Sequence, residues 1–256
     1  MLIGAQLYTL RDFCKTTADL DETLKKVADM GMTTVQLSGI CAYEADWMAE
    51  RLKAYGLRAD ITHFDYGRII RDAEATVAFH KTMNCKYIGI GTMPASYTGP
   101  YSVEKLDAFF GEIRPSVETF AAAGEKFMFH NHNREFAMVE GKTVLDRICE
   151  AFPEDQLGIT ADVYWIQYAG ENPISWLYKL KGRTDCVHFK DMSHNANGDV
   201  IMVPNGDGMM DYDGIIKACE DTGVKFGYIE QDNCNGEDPF ACMKRSYDFF
   251  RSRGLH

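Results

Sequence analysis

The sequence predicts a (β/α)8 barrel, on three observations. Short apolar, β-branched or aromatic runs alternate with longer segments of helical period. Eight such strand–helix units fit into the 256 residues. No stretch rich in Pro, Gly or Ser interrupts them, so residues 1–256 read as one domain. Strands alternating with helices imply a parallel sheet, and eight repeats in about 250 residues suit a closed barrel. An open doubly wound sheet is the alternative, but its G-x-G-x-x-G fingerprint is missing. The segment "IGIGTMP" follows a strand and lacks the third glycine.

The strands are expected at Ile3–Leu7, Thr34–Leu37, Arg58–Thr62, Tyr87–Ile90, Lys126–His130, Gly158–Asp162, Cys186–Phe189 and Lys225–Glu230. Each is a brief run of the residue types that suit a pleated, buried surface. The intervening segments carry helical spacing. "LDETLKKVADMG" puts Leu20, Leu24, Val27 and Ala28 on one face and stops at Gly31. "EADWMAERLKAYG" repeats the design and stops at Gly56. "VEKLDAFFGEIRPSVETFAAAG" is longer and holds Pro115, which is expected to bend or split it. "DGIIKACEDTG" and "PFACMKRSYDFFRSRG" close the series.

Composition narrows the function classes. At 46% hydrophobic and 25% charged the chain is an ordinary globular protein, large enough for a core without disulfides. A net charge of −11 and no Lys/Arg run argue against a nucleic-acid partner. The eight cysteines, at 14, 41, 85, 149, 186, 219, 234 and 242, include no C-x-x-C pair. "MLIGAQLYTLRD" lacks the basic and apolar regions of a signal peptide, so reduced thiols and a cytoplasmic location are expected. No apolar run approaches membrane-spanning length, and no membrane partner is expected.

The chemistry gathers at the strand ends. In "FMFHNHNREF" a core strand runs without a turn into two histidines, two asparagines, an arginine and a glutamate. Residues two apart share a face, so Met128, His130 and His132 point together if the strand continues that far. "GITADVYW" ends on Asp162, "CVHFKD" carries His188 and Lys190, and "GYIEQD" carries Tyr228, Glu230 and Asp232. A lone histidine or carboxylate at such a place is usually a core hydrogen bonder, a cap or a solvated group. Four successive strands finishing in His, Asp, His and Glu, at the end where barrels keep their sites, point to a shared cation. Mixed nitrogen and oxygen donors without thiolates suit one Mn²⁺, Zn²⁺ or Co²⁺ with open positions for substrate oxygens.

In this order and spacing, "GAQLYTLRD", "FHNHNREF", "ADVYWIQYAGENP", "VHFKDM", "VPNGDGMMDYDGII" and "YIEQD" resemble the sugar isomerase/epimerase superfamily, a xylose-isomerase-like TIM barrel. That superfamily includes ketose 3-epimerases, inosose dehydratases and apurinic endonucleases, and the resemblance covers nearly the whole chain. It implies a divalent metal held by Glu, Asp, His and Glu at the ends of strands five to eight. Asp162, His188 and Glu230 match the last three. Where the epimerases have the first glutamate this chain has His130, favoured by position, with His132 and Glu135 as alternatives.

The resemblance further implies an isomerase or epimerase of a keto-sugar or polyol-derived substrate, working through a metal-stabilised enediolate. Glu230 would be the base, Glu135 or His132 the partner acid, and Lys190 would hold a substrate oxygen or pair with Asp191 or Glu230. His63, Gln6 and Tyr8 would bind hydroxyls, and Trp165 would lie against a sugar face or in the core. Asn131 and Arg134 would orient ligands, and Asp211 or Asp213 would cap the helix after the glycine-rich loop. A lyase of the inosose-dehydratase type, or β-elimination of an oxidised glycoside, is the nearest rival. A non-catalytic sugar-binding barrel is the rival of another class, and a homo-oligomer is expected by analogy.

Overall fold

The computed structural model describes residues 1–256. Eight parallel strands close into a barrel: β1 (Leu2–Gln6), β2 (Thr34–Leu37), β3 (Arg58–His63), β4 (Tyr87–Ile90), β5 (Lys126–His130), β6 (Leu157–Asp162), β7 (Cys186–Phe189) and β8 (Phe226–Ile229). Each pairs with its successor, and β8 returns to β1 with Phe226 opposite Leu2. The second, fourth, fifth and seventh strands match the expected bounds to the residue. The first ends one residue early because Leu7 opens a 3-10 helix, Leu7–Phe13, anchored by Tyr8 N donating to the Gln6 side chain. The last stops at Ile229, leaving Glu230 just beyond the sheet.

The helices follow their sequence signals. Thr16 and Asp19 form a reciprocal cap at the start of Thr17–Asp29, and Gly56 ends Ala45–Tyr55 in the left-handed region at φ 66. Pro115 does not split its helix, which runs unbroken over Val103–Ala122. One lost backbone hydrogen bond is outweighed there by the burial of Phe109, Phe110, Ile113, Val117 and Phe120 against the barrel. Two short antiparallel pairs were not foreseen: Met138–Val139 with Lys142–Thr143, and Asp191–His194 with Val200–Val203. No helix is long and apolar enough to cross a membrane, and all eight cysteines are free thiols.

Alternation along β5 explains the opening motif. Phe127 and Phe129 face outward, meeting Phe120 and Phe109 of the long helix. Met128 points inward, into a small cluster with Ile61, Tyr87, Cys186, Phe226 and Tyr228. His130, two residues further on, therefore points inward above that cluster. Ion pairs stop the opposite end of the barrel: Arg58 with Asp60, and Lys126 and Lys225 with Asp185. The end at the strand carboxyl termini is where His130 and the other inward polar residues gather.

The loop after β7 is fixed by one carboxylate. Buried Asp191 accepts hydrogen bonds from the backbone N–H groups of Met192, Gly206, Gly208 and Met210, at 2.8, 3.0, 3.3 and 3.2 Å. A Cβ at Gly208 would lie 2.2 Å from Asp191 Oδ1, so the loop comes this close only because that residue has no side chain.

Candidate metal centre

Four side chains from strands remote in sequence converge at the open end. Donor atoms of His130, Asp162, His188 and Glu230 all lie within 4.8 Å of one another, and all four residues are buried. His130 Nε2 is 3.2 Å from Asp162 Oδ2, and His188 Nδ1 is 2.8 Å from Glu230 Oε2 and 3.8 Å from Asp162 Oδ2. Asp162 also caps the helix Val163–Tyr168 by accepting from Trp165 N at 3.0 Å. Its own N–H donates to Asn131 Oδ1 at 3.0 Å, which fixes the turn out of β6.

Each imidazole is oriented from behind. His130 Nδ1 lies 2.9 Å from the carbonyl of Gly91. A carbonyl can only accept, so Nδ1 carries the hydrogen and Nε2 turns a lone pair toward Asp162. His188 Nε2 lies 2.6 Å from Gln36 Oε1, which leaves Nδ1 facing the two carboxylates. Although His188 Nδ1 and Glu230 Oε2 are close, neither has an aligned hydrogen bond, and both are buried. Buried donor and acceptor atoms left without aligned partners are costly, and a cation among them would offset that cost. Two imidazole nitrogens and two carboxylate oxygens so arranged fit a borderline divalent ion.

Charge in the centre is coupled. Burial opposes ionisation of Asp162, but the Lys190 ammonium holds its carboxyl well below the ordinary range. Burial likewise opposes charge on His188, yet Glu230 and Asp162 raise its pKa above the ordinary imidazole value. His130 is depressed by burial and by His188, and His63 is depressed well below normal by burial and by His130. Burial and His130 bring His132 down to about 3. Asp232 is pushed up to about 6 by burial and by the charge of Glu230.

Above the four ligand candidates opens a cavity of about 380 Å³, lined by Gln6, Tyr8, His63, His132, Lys190 and Asp232 among others. Gln6 Nε2 donates to Glu230 Oε1 at 3.1 Å, so the base candidate is held by β1. His63 Nδ1 meets Ser38 Oγ at 3.0 Å, while its Nε2 is buried without a partner. Lys190 reaches Asp162, Glu230 and Asp232 and makes no pair with Asp191, because neighbouring residues on an extended segment point to opposite sides. Arg134 stands at the rim of the cavity. Asp211 caps the helix Tyr212–Thr222 through Gly214 N, as a simple N-cap.

Two of the expected residues do not line the cavity. Trp165 packs on His132 and Tyr164, with ring centroids 5.4 and 5.0 Å apart. Glu135 is fully buried; it accepts from His132 N at 2.7 Å and Tyr101 OH at 3.3 Å. It thus positions the His132 backbone within the 3-10 turn Asn133–Phe136. Sequence reasoning missed Gln36, Ser38 and the Gly91 carbonyl. Gln36 left a signal, a polar residue inside the apolar strand "TVQL".

Burial raises the Glu135 carboxyl from 4.5 to about 7, so the fold favours its protonated form. Stability from this group is therefore full below pH 4.5 and is lost as pH rises toward 7. The loss amounts to about 3 kcal/mol. Urea denaturation on both sides of that interval should show a steeper loss of stability in the wild type than in Glu135→Gln; equal slopes would contradict the assignment.

Comparisons with known proteins place this geometry in context. A solved sugar phosphate isomerase/epimerase from Parabacteroides distasonis ATCC 8503 superposes with a TM-score of 0.82 at 17% identity, covering 98% of this chain and 93% of that one. A solved L-ribulose 3-epimerase gives 0.78 at 15% identity, over 98% of this chain and 94% of that one. Among curated proteins, the inosose dehydratase of Geobacillus kaustophilus (strain HTA426) is 19% identical over 196 residues, 69% of this chain. The match spans 63% of that relative's length. At such identities the superpositions speak for the fold. A profile described as xylose isomerase-like TIM barrel matches residues 16–251, and the chain belongs to that family.

Proposed function

We propose that the protein is a divalent-metal-dependent isomerase or epimerase acting on a keto-sugar or polyol-derived substrate. The observation that carries this reading is the buried set of His130, Asp162, His188 and Glu230, opening on a cavity whose lining is almost wholly polar. Bound there, Mn²⁺, Zn²⁺ or Co²⁺ would supply Lewis-acid polarisation of a substrate carbonyl and its neighbouring hydroxyl.

Glu230 is the proposed base. Gln6 fixes one of its oxygens, and Lys190 keeps the carboxylate ionised at neutral pH, so it is ready to accept a proton. The proton comes from the carbon beside the carbonyl, and the electron pair moves onto the carbonyl oxygen. The proton's return to the same carbon from the other face inverts that centre; its return to the neighbouring carbon, with the hydroxyl proton passing to the former carbonyl oxygen, isomerises the sugar. With Glu135 engaged at the His132 backbone and the His132 ring held neutral, the returning proton is assigned to Lys190. His63 Nε2 and His132 Nδ1, both buried and unpartnered, are proposed to hold substrate hydroxyls.

A dehydratase is the second reading. Asp232 lines the cavity as a carboxyl group outside the four ligand candidates, placed to protonate a departing hydroxyl. The test is a panel of keto-sugars and inosoles with added metal in D₂O. Deuterium entry at carbon with no loss of water supports isomerisation; an unsaturated product supports dehydration. Neither exchange nor product across the panel would favour a sugar-binding barrel without turnover.

A further inference from the structure

We propose that Lys190 is a built-in counter-ion of the metal centre, keeping the ligand set assembled when the ion is absent and weakening the ion's hold when it is present. The inference rests on the metal-dependent reading above. Its starting point is an imbalance of buried charge. Asp162 and Glu230 are 0% and 4% exposed, and Asp232 stands beside them. Carboxylates so placed repel one another and have given up their water, an arrangement that persists only with a positive partner.

Lys190 is the one Lys or Arg that pairs with these carboxylates. Its Nζ lies 3.1 Å from Asp162 Oδ2, 3.1 Å from Glu230 Oε2 and 2.9 Å from Asp232 Oδ1. The first two atoms are also those that face His130 and His188 in the ligand set. One ammonium therefore addresses the oxygens a divalent ion would use. It cannot drift away easily, being 2% exposed with its backbone carbonyl accepting from Tyr212 OH at 2.8 Å.

Two consequences follow from like charges sharing one set of acceptors. The ion-free protein keeps its site and fold, unlike metal-nucleated domains that unfold when stripped. A divalent ion entering the set feels the ammonium's repulsion at short range, where the interior screens it poorly.

The experiment uses the full chain stripped with EDTA, wild type and Lys190→Met. Melting temperature is read with and without added Mn²⁺ or Zn²⁺, and ion affinity by competition with a fluorescent chelator. The wild type should stay folded in EDTA, and its melting temperature should rise less on adding the ion than that of Lys190→Met does. Lys190→Met in EDTA should melt roughly 5–15 °C lower, regain that loss on adding the ion, and bind it roughly tenfold tighter or more. An unchanged melting temperature together with unchanged or weaker affinity overturns the proposal. Should the single variant not fold, Lys190→Met/Asp162→Asn, with one negative charge also removed, should fold in EDTA. Failure of both would assign Lys190 to packing and overturn it too. A wild type that takes up no ion at all would defeat the metal-dependent reading itself, and that result is visible before any variant is made.

Discussion

Asp162→Asn should abolish stoichiometric ion binding and lower turnover roughly 10³-fold while the barrel stays folded. Asparagine keeps an oxygen where Asp162 Oδ1 accepts from Trp165 N, so the cap of Val163–Tyr168 survives. What goes is the charge facing His130, His188 and Lys190. Alanine is the poorer variant, because it would remove cap and charge together, at a cost of about 1 kcal/mol for the cap alone. Metal analysis per chain and far-ultraviolet circular dichroism check the result. A variant that keeps a full complement of ion would remove Asp162 from the centre.

Glu230→Gln should cost roughly 10²- to 10⁴-fold in turnover and stop exchange of the substrate's C–H proton with D₂O. The amide retains an oxygen for Gln6 Nε2, which sits 3.1 Å from Glu230 Oε1, so the side chain keeps its place. It loses the negative charge paired with His188 and Lys190, and with it the capacity to take a proton. Exchange at the wild-type rate in this variant would move the base elsewhere. Measuring exchange separately from turnover matters, because a weakened ion site alone could slow product formation.

The sequence announced those parts of the protein that depend on local pattern. Cys186–Phe189 could be bounded to the residue because Cys186, Val187 and Phe189, with only His188 among them, sit between polar neighbours on both sides. The His, Asp, His and Glu of the centre were legible because each ends such a run, and barrel topology brings those ends together. Gln36, Ser38 and the Gly91 carbonyl were hidden for the opposite reason. They lie in or just after β2 and β4, outside the four strands that carry the ligand candidates, and nothing in their own neighbourhoods names His188, His63 or His130 as the partner. The direction of Glu135 was also out of reach. A single 3-10 turn rotates it under the His132 backbone, and spacing along the chain does not distinguish that from reaching toward the ion. The hairpin Asp191–His194 with Val200–Val203 carried its own clue, Asn197-Gly198 between two strands, but the polar stretch "SHNANGD" masks any alternation.

Lys190 and Asp191 are adjacent, yet one reaches into the chemistry and the other fastens four amides of the neighbouring loop. Adding or deleting one residue between Phe189 and Asp191 would swap their directions, aiming a carboxylate at carboxylates and an ammonium at N–H groups. Length is therefore frozen at this joint to a single residue. The exposed tip of the hairpin, Ala196 to Asp199, is under no such constraint. Descendants of this chain have freedom to lengthen or shorten there without touching the four ligand candidates.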